Sequence, residues 1–161
     1  GRFAMMLVLA RRHHRQRNGR RFSWGGPPVT RPVSVIVPAY NEKECIAGTL
    51  TSLARSTHPI EIVVVDDGST DGTADIAESL GLPNVRVIRQ ENAGKPAALN
   101  NGVRHARHDI VVMMDGDTVF EPDTVRHLVQ PFADPAVGAV AGNAKVGNRT
   151  TSSAPGSTSS T

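Results

Sequence analysis

Ile60-Glu61-Ile62-Val63-Val64-Val65, running straight into Asp66-Asp67-Gly68-Ser69-Thr70-Asp71-Gly72, is the stretch that decides the fold. A short β-branched apolar run reads as a buried strand, and a turn rich in Asp, Ser and Gly ends it. Beyond the turn the sequence predicts a helix over about residues 72–80, with Ser69 to Asp71 placed to cap it. Strand, polar loop and helix in this order form half of a βαβ crossover.

The same unit recurs on both sides. Toward the amino terminus, Val33-Ser34-Val35-Ile36-Val37 predicts a strand ended by Pro38, and Ile46, Leu50 and Leu53 fall at helical spacing within residues 43–54. Toward the carboxyl terminus, Val85-Arg86-Val87-Ile88 predicts a third strand, and a Gly94-Lys95-Pro96 turn opens a helix reaching about Ala106. Ile110 to Met114 predicts a fourth strand ending in Asp115-Gly116-Asp117, followed by a helix from about Pro122 to Pro131 and a fifth strand over Val137 to Ala141. Strands alternating with helices imply an α/β fold, a mostly parallel sheet with helices on both faces. Ligands of such sheets bind outside the carboxyl ends of the strands. The polar clusters at 38–42, 66–71 and 115–117 each follow a strand, so they are expected to converge on one edge.

Outside this core the composition changes. Residues 1–32 hold eight of the 18 basic residues (arginines 2, 11, 12, 15, 17, 20, 21 and 31) and no acid, which leaves ten basic against 15 acidic groups, a balance of −5, for the rest. A basic arm ahead of an acidic domain argues against a nucleic-acid binder. Phe3 to Ala10 is apolar and Arg11 to Arg17 follows at once. It reads either as the end of a transmembrane helix with its arginines on the cytoplasmic side, or as a solvated basic tail with an apolar start. Residues 20–32 read as a Gly-, Pro- and Arg-rich linker, and residues 150–161 as a disordered Ser/Thr-rich tail. Its abrupt composition suggests an artefact of truncation or a shifted reading frame. The lone Cys45 cannot form an internal disulfide, which fits a reducing, cytoplasmic setting.

Three features carry chemistry. Asp115 and Asp117 offer carboxylates two residues apart beyond a buried strand, a hard-oxygen pair suited to Mg²⁺ or Mn²⁺ bridging to phosphate; the plainer reading is a turn in which Asp and Gly suit the backbone. Asp66 and Asp67 form a second acidic strand end, read either as turn chemistry that caps the next helix or as Asp67 accepting from a base N–H, and the two can hold together. Lys95, after Gly94, places an ammonium at the positive end of a helix, as a diphosphate would require, or is a solvated turn lysine. None of the six histidines has metal-ligand spacing.

In order, Val-Ser-Val-Ile-Val-Pro-Ala-Tyr-Asn-Glu (33–42), Val-Val-Val-Asp-Asp-Gly-Ser-Thr-Asp-Gly-Thr (63–73), Gly-Lys-Pro-Ala-Ala-Leu-Asn (94–100) and Met-Asp-Gly-Asp-Thr (114–118) resemble family 2 glycosyltransferases over about residues 33–149. The third motif resembles the processive subgroup of cellulose, chitin, hyaluronan and poly-N-acetylglucosamine synthases. The resemblance implies a GT-A fold, Rossmann-like, and a UDP-sugar donor. Pro38, Tyr40 and Glu42 would line the nucleotide pocket, Asp67 would read the uracil, Lys95 would meet the diphosphate, and Asp115 with Asp117 would hold the metal. It implies inverting transfer of a hexose or N-acetylhexosamine to a saccharide or lipid-linked acceptor, at the cytoplasmic face of the plasma membrane in the full-length protein. The chain departs from the family after the donor half. No acid follows Asp134, the only Trp is Trp24, and neither a Thr-Glu-Asp-like base nor a Gln-x-x-Arg-Trp motif occurs. The expectation is a truncated donor-binding fragment with little or no transferase activity, since base and acceptor segment are missing, with the alternative of a catalytically inactive fragment that binds UDP or a partner without turnover. A receiver-type signalling domain, which also has acidic strand ends and a lysine, would want an acidic pair where Tyr40-Asn41-Glu42 stands.

Overall fold

The computed structural model describes residues 3–10, 27–133 and 139–145, the first and last of these segments as backbone. The elements run β1 (Phe3–Ala10), β2 (Val33–Ala39), α1 (Ile46–Ala54), β3 (Ile60–Asp67), α2 (Thr73–Ser79), β4 (Val85–Gln90), α3 (Lys95–His105), β5 (Ile110–Met113), α4 (Thr124–Val129), a 3₁₀ turn (Gln130–Ala133) and β6 (Ala139–Lys145). They form one six-stranded sheet in the order β4-β3-β2-β5-β1-β6. The four strands β4, β3, β2 and β5 pair in parallel. This is the mostly parallel α/β architecture expected from the alternating pattern.

Central β2 is buried on both faces, which is why its residues are almost all apolar. Val33, Val35 and Val37 pack toward Ile46, Leu50 and Leu53 of α1, Ala77 of α2 and Val125 and Val129 of α4. Ile36 faces the opposite way, with Val63, Val65 and Val111, beneath Ala98 of α3. Helices therefore cover both faces, and each of the large α1 side chains contributes about 1.5–3 kcal/mol by leaving water. On the α3 face the approach is close: a Cβ on Gly102 would lie 2.3 Å from Ile36 Cγ2.

Two elements differ from expectation. The run read as the end of a membrane helix, Phe3–Ala10, is a strand here, paired antiparallel with both β5 and β6. An apolar run of eight residues has no periodicity to separate strand from helix, so available sheet edges decide. Among the described residues no helix is long and apolar enough to cross a membrane. The helix expected to reach Pro131 ends at Val129 and gives way to the 3₁₀ turn, since Pro131 has no N–H to continue it. Most of the arginine-rich arm, the artefact reading and the Ser/Thr-rich tail lie outside the described residues.

The strand order also locates a site. From β2 the chain moves outward through β3 to β4, then returns to place β5 on the other side of β2. The crossovers thus diverge at the carboxyl ends of β2 and β5, and a crevice opens there.

Candidate functional site

That crevice is a cavity of about 400 Å³ lined by Pro38, Ala39, Tyr40, Glu42, Asp67, Asn92, Gly94, Lys95, Ala98, Asp115, Gly116 and Asp117. The seven residues that the family resemblance implies for the site all line it, whereas Asp66 does not. Its volume suits a nucleotide-sized ligand.

The wall after β2 is built by backbone geometry. Asn41 takes a positive φ of 50°, a conformation asparagine adopts more readily than most residues. Its N–H donates to Ser69 Oγ at 2.9 Å and its Oδ1 accepts from the Thr70 N–H at 2.9 Å. The Glu42 N–H donates to Thr73 Oγ1 at 2.9 Å, and the Lys43 N–H to Asp71 Oδ2 at 3.2 Å. These bonds lace the loop after β2 to the loop after β3. Asp71 Oδ1 also accepts the Thr73 N–H at 3.0 Å, so part of the expected cap of α2 comes from one residue before its N-cap, Gly72. Tyr40 is left half exposed at the mouth.

Asp67 is 3% exposed. Its Oδ1 accepts from Gln90 Nε2 and the Ala93 N–H, both at 2.8 Å, and its Oδ2 from the Gly94 N–H at 2.9 Å. Burial alone would push this carboxyl up, but the three hydrogen bonds, led by the Ala93 N–H, outweigh it and hold the carboxyl below its ordinary value. An ionised carboxylate has about four acceptor sites, so one remains for a ligand. Gln90 is oriented in turn by Asn101 Nδ2, which donates to its Oε1 at 2.8 Å. The neighbouring Asp66 is buried but does not line the cavity; its Oδ2 accepts the Ser69 N–H at 3.3 Å.

Gly68, with φ 77°, lets the β3 loop meet the segment before α3, because a Cβ there would lie 2.8 Å from the Asn92 nitrogen. At the other wall, Gly116 is pressed against β2, where a Cβ would come within 3.2 Å of Pro38 O, and its carbonyl accepts from Thr49 Oγ1 at 3.0 Å. This anchors the middle of Asp115-Gly116-Asp117. Asp117 is exposed, Asp115 partly so, and Asp115 Oδ1 accepts a short hydrogen bond from Lys95 Nζ. Glu42 feels the crowding: burial first, then repulsion from Asp117 and Asp115, raise its carboxyl above the ordinary value, against the pull of Lys95. Among the described residues no cluster of three or more His, Cys, Asp or Glu has metal-cage geometry. The Asp115 and Asp117 pair instead fits the way Mg²⁺ and Mn²⁺ are held, by one or two carboxylates completed by phosphate and water.

Sequence reasoning missed Asn41, Gln90, Asn92 and Asn101. Asn41 lay inside a quoted motif. The others gave no signal, because an amide on a strand end, loop or helix acquires a role only from what the fold sets opposite it.

Comparison with known proteins bears on this geometry. A poly-β-1,6-N-acetyl-D-glucosamine synthase of Staphylococcus aureus is 36% identical over 121 residues, covering 73% of this chain and 29% of that protein. The corresponding synthase of Staphylococcus epidermidis is 32% identical over 147 residues, covering 89% and 32%. The chain therefore spans about a third of the length of these relatives. Among solved structures, a mannosyltransferase from Pyrobaculum calidifontis in complex with GDP-Man and Mn²⁺ matches with a TM-score of 0.65 and 37% identity, over 72% of this chain and 37% of that one. The S. aureus TarS 1–349 structure with UDP-GlcNAc matches at 0.55 and 36% identity, over 59% and 29%. Glucosyl-3-phosphoglycerate synthase from Mycobacterium tuberculosis, with Mn²⁺, UDP and glucosyl-3-phosphoglycerate, matches at 0.56 and 32% identity, over 64% and 40%. The sheet is thus that of GT-A transferases. The family model for glycosyl transferase family 2 matches residues 34–159, most of the chain and every loop of the cavity, and the chain belongs to that family.

Proposed function

We propose that the cavity binds a UDP-sugar together with Mg²⁺ or Mn²⁺, and that the chain supplies the donor site for inverting transfer of a hexose or N-acetylhexosamine to a polysaccharide or lipid acceptor. The observation that carries this reading is the meeting of Asp115, Asp117 and Lys95 in one cavity with Tyr40 and the nearly satisfied Asp67. The solved relatives with UDP-GlcNAc or with UDP and Mn²⁺ support it, as do the polysaccharide synthases.

Each residue has a task in this reading. Pro38 and Tyr40 form an apolar and aromatic wall for the base, and Asp67 offers its remaining acceptor to a base N–H. Asp115 and Asp117 hold the cation, and Glu42 lines the nucleotide pocket with Pro38 and Tyr40. Lys95 and the amino end of α3 set positive charge against the diphosphate. When bound, the cation stabilises the charge on the departing nucleoside diphosphate.

Calorimetric titration of the chain with UDP, in Mn²⁺ and then in EDTA, tests the donor site beside an Asp117→Ala variant. Binding is expected to need both the cation and Asp117. Equal heats in EDTA, or from a folded Asp117→Ala protein, would overturn the cation assignment.

A further inference from the structure

Among the described residues that line the cavity, four are acidic, Glu42, Asp67, Asp115 and Asp117, and Lys95 is the one cation. The ammonium does not project into the space where a diphosphate would lie free of partners. It is hydrogen-bonded to Asp115, although the Lys95 side chain is 59% exposed and that of Asp115 32%. An exposed pair of this kind is weak, so its partner can be exchanged at little cost. The backbone beneath it is held. Gly94 donates its N–H to Asp67 Oδ2, and Lys95 begins α3 immediately afterwards, so the side chain can swing while its Cα stays in place.

We propose that in the nucleotide-free protein the Lys95 ammonium occupies the place on Asp115 that a divalent cation takes, so that Asp115 exchanges one positive charge for the other and the released ammonium turns to the diphosphate. The inference rests on Asp115 and Asp117 being the cation ligands. Its consequence is a built-in order of affinity: the cation alone competes with Lys95, whereas a diphosphate draws Lys95 away and opens Asp115. Cation and nucleotide then favour each other, and the coupling is reciprocal.

The test titrates the full chain with Mn²⁺ and follows free Mn²⁺ by electron paramagnetic resonance, without UDP and then with it, after circular dichroism has matched each variant to the parent. Lys95→Met is expected to bind Mn²⁺ alone about fivefold more tightly, the scale of a weak ion pair removed, and to show a smaller gain on adding UDP. Lys95→Arg keeps the competing charge and is expected to bind Mn²⁺ alone less tightly than Lys95→Met, whereas equal tightening in both would overturn the exchange. Arg55→Met removes a positive charge just past the far end of α1, at an exposed position outside the cavity, and is expected to change nothing. Unchanged or weaker Mn²⁺ binding in Lys95→Met, or equal tightening in Arg55→Met, would overturn the exchange while leaving the cation site standing. Mn²⁺ binding that survives Asp117→Ala undiminished would remove the cation site itself, and the exchange with it.

Discussion

At the scale of single residues, Asp67 shows how little a motif says about a side chain's work. Its place at an acidic strand end was legible in the sequence, but its partners were not: Gln90 lies 23 residues away, and the Ala93 and Gly94 amides 26 and 27. Because these donors favour the ionised form, Asp67 contributes stability above the unfolded-state value of about 3.8, and that contribution is lost as pH falls through the lower folded-state value. Asp67→Asn keeps the shape but turns a donor group toward the N–H donors, at a cost of about 1–3 kcal/mol. Urea unfolding from pH 7 down to pH 3 is expected to show a wide gap between parent and variant at pH 7 that closes below about pH 4. A gap independent of pH would mean that the charge on Asp67 is not what holds the loop.

Elements were legible where the sequence gave a period. The amphipathic spacing of α1 and the β-branched runs of β2, β3 and β5 each predict one structure, whereas the apolar run of β1 allows two. Helix α3 adds a requirement that no periodicity reveals. It carries Lys95 at its first residue and Asn101 on the turn facing Gln90, and Gly102 lets it lie directly on Ile36 and Val65. Gly102→Ala would raise intrinsic helix propensity by up to about 1 kcal/mol, yet force a methyl into fully buried β2. Overpacking of this kind costs about 1–3 kcal/mol. The expected net result is a lower melting temperature and weaker UDP binding, because α3 must lift and take Lys95 with it. A variant that melts above the parent would show that β2 and α3 separate freely.

For the whole molecule, the cavity proposed as the donor site lies at one end of the sheet, and a ligand bound there should stabilise the native state by mass action. Saturation at a hundred times the dissociation constant corresponds to about 2.7 kcal/mol. Hydrogen exchange with UDP and Mn²⁺ is expected to protect the loops after β2, β3 and β5 and the first turn of α3, and to leave Arg107 to Asp109, at the opposite ends of the strands, as they were. Protection centred there instead would move the site. The alternation of strand and helix and the polarity of the strand-end loops were determined by the sequence alone, because side-chain period and turn chemistry are local properties, while the seven residues that line the cavity were singled out by the order and spacing of the family's motifs. Tertiary structure alone decided that β5 lies beside β2 and opens the crevice, that Asn41, Gln90 and Asn101 brace it, that Lys95 rests on Asp115, and that Phe3–Ala10 forms a strand. Each of these depends on groups distant in the chain being brought within hydrogen-bonding or packing reach, a relation that local periodicity does not encode.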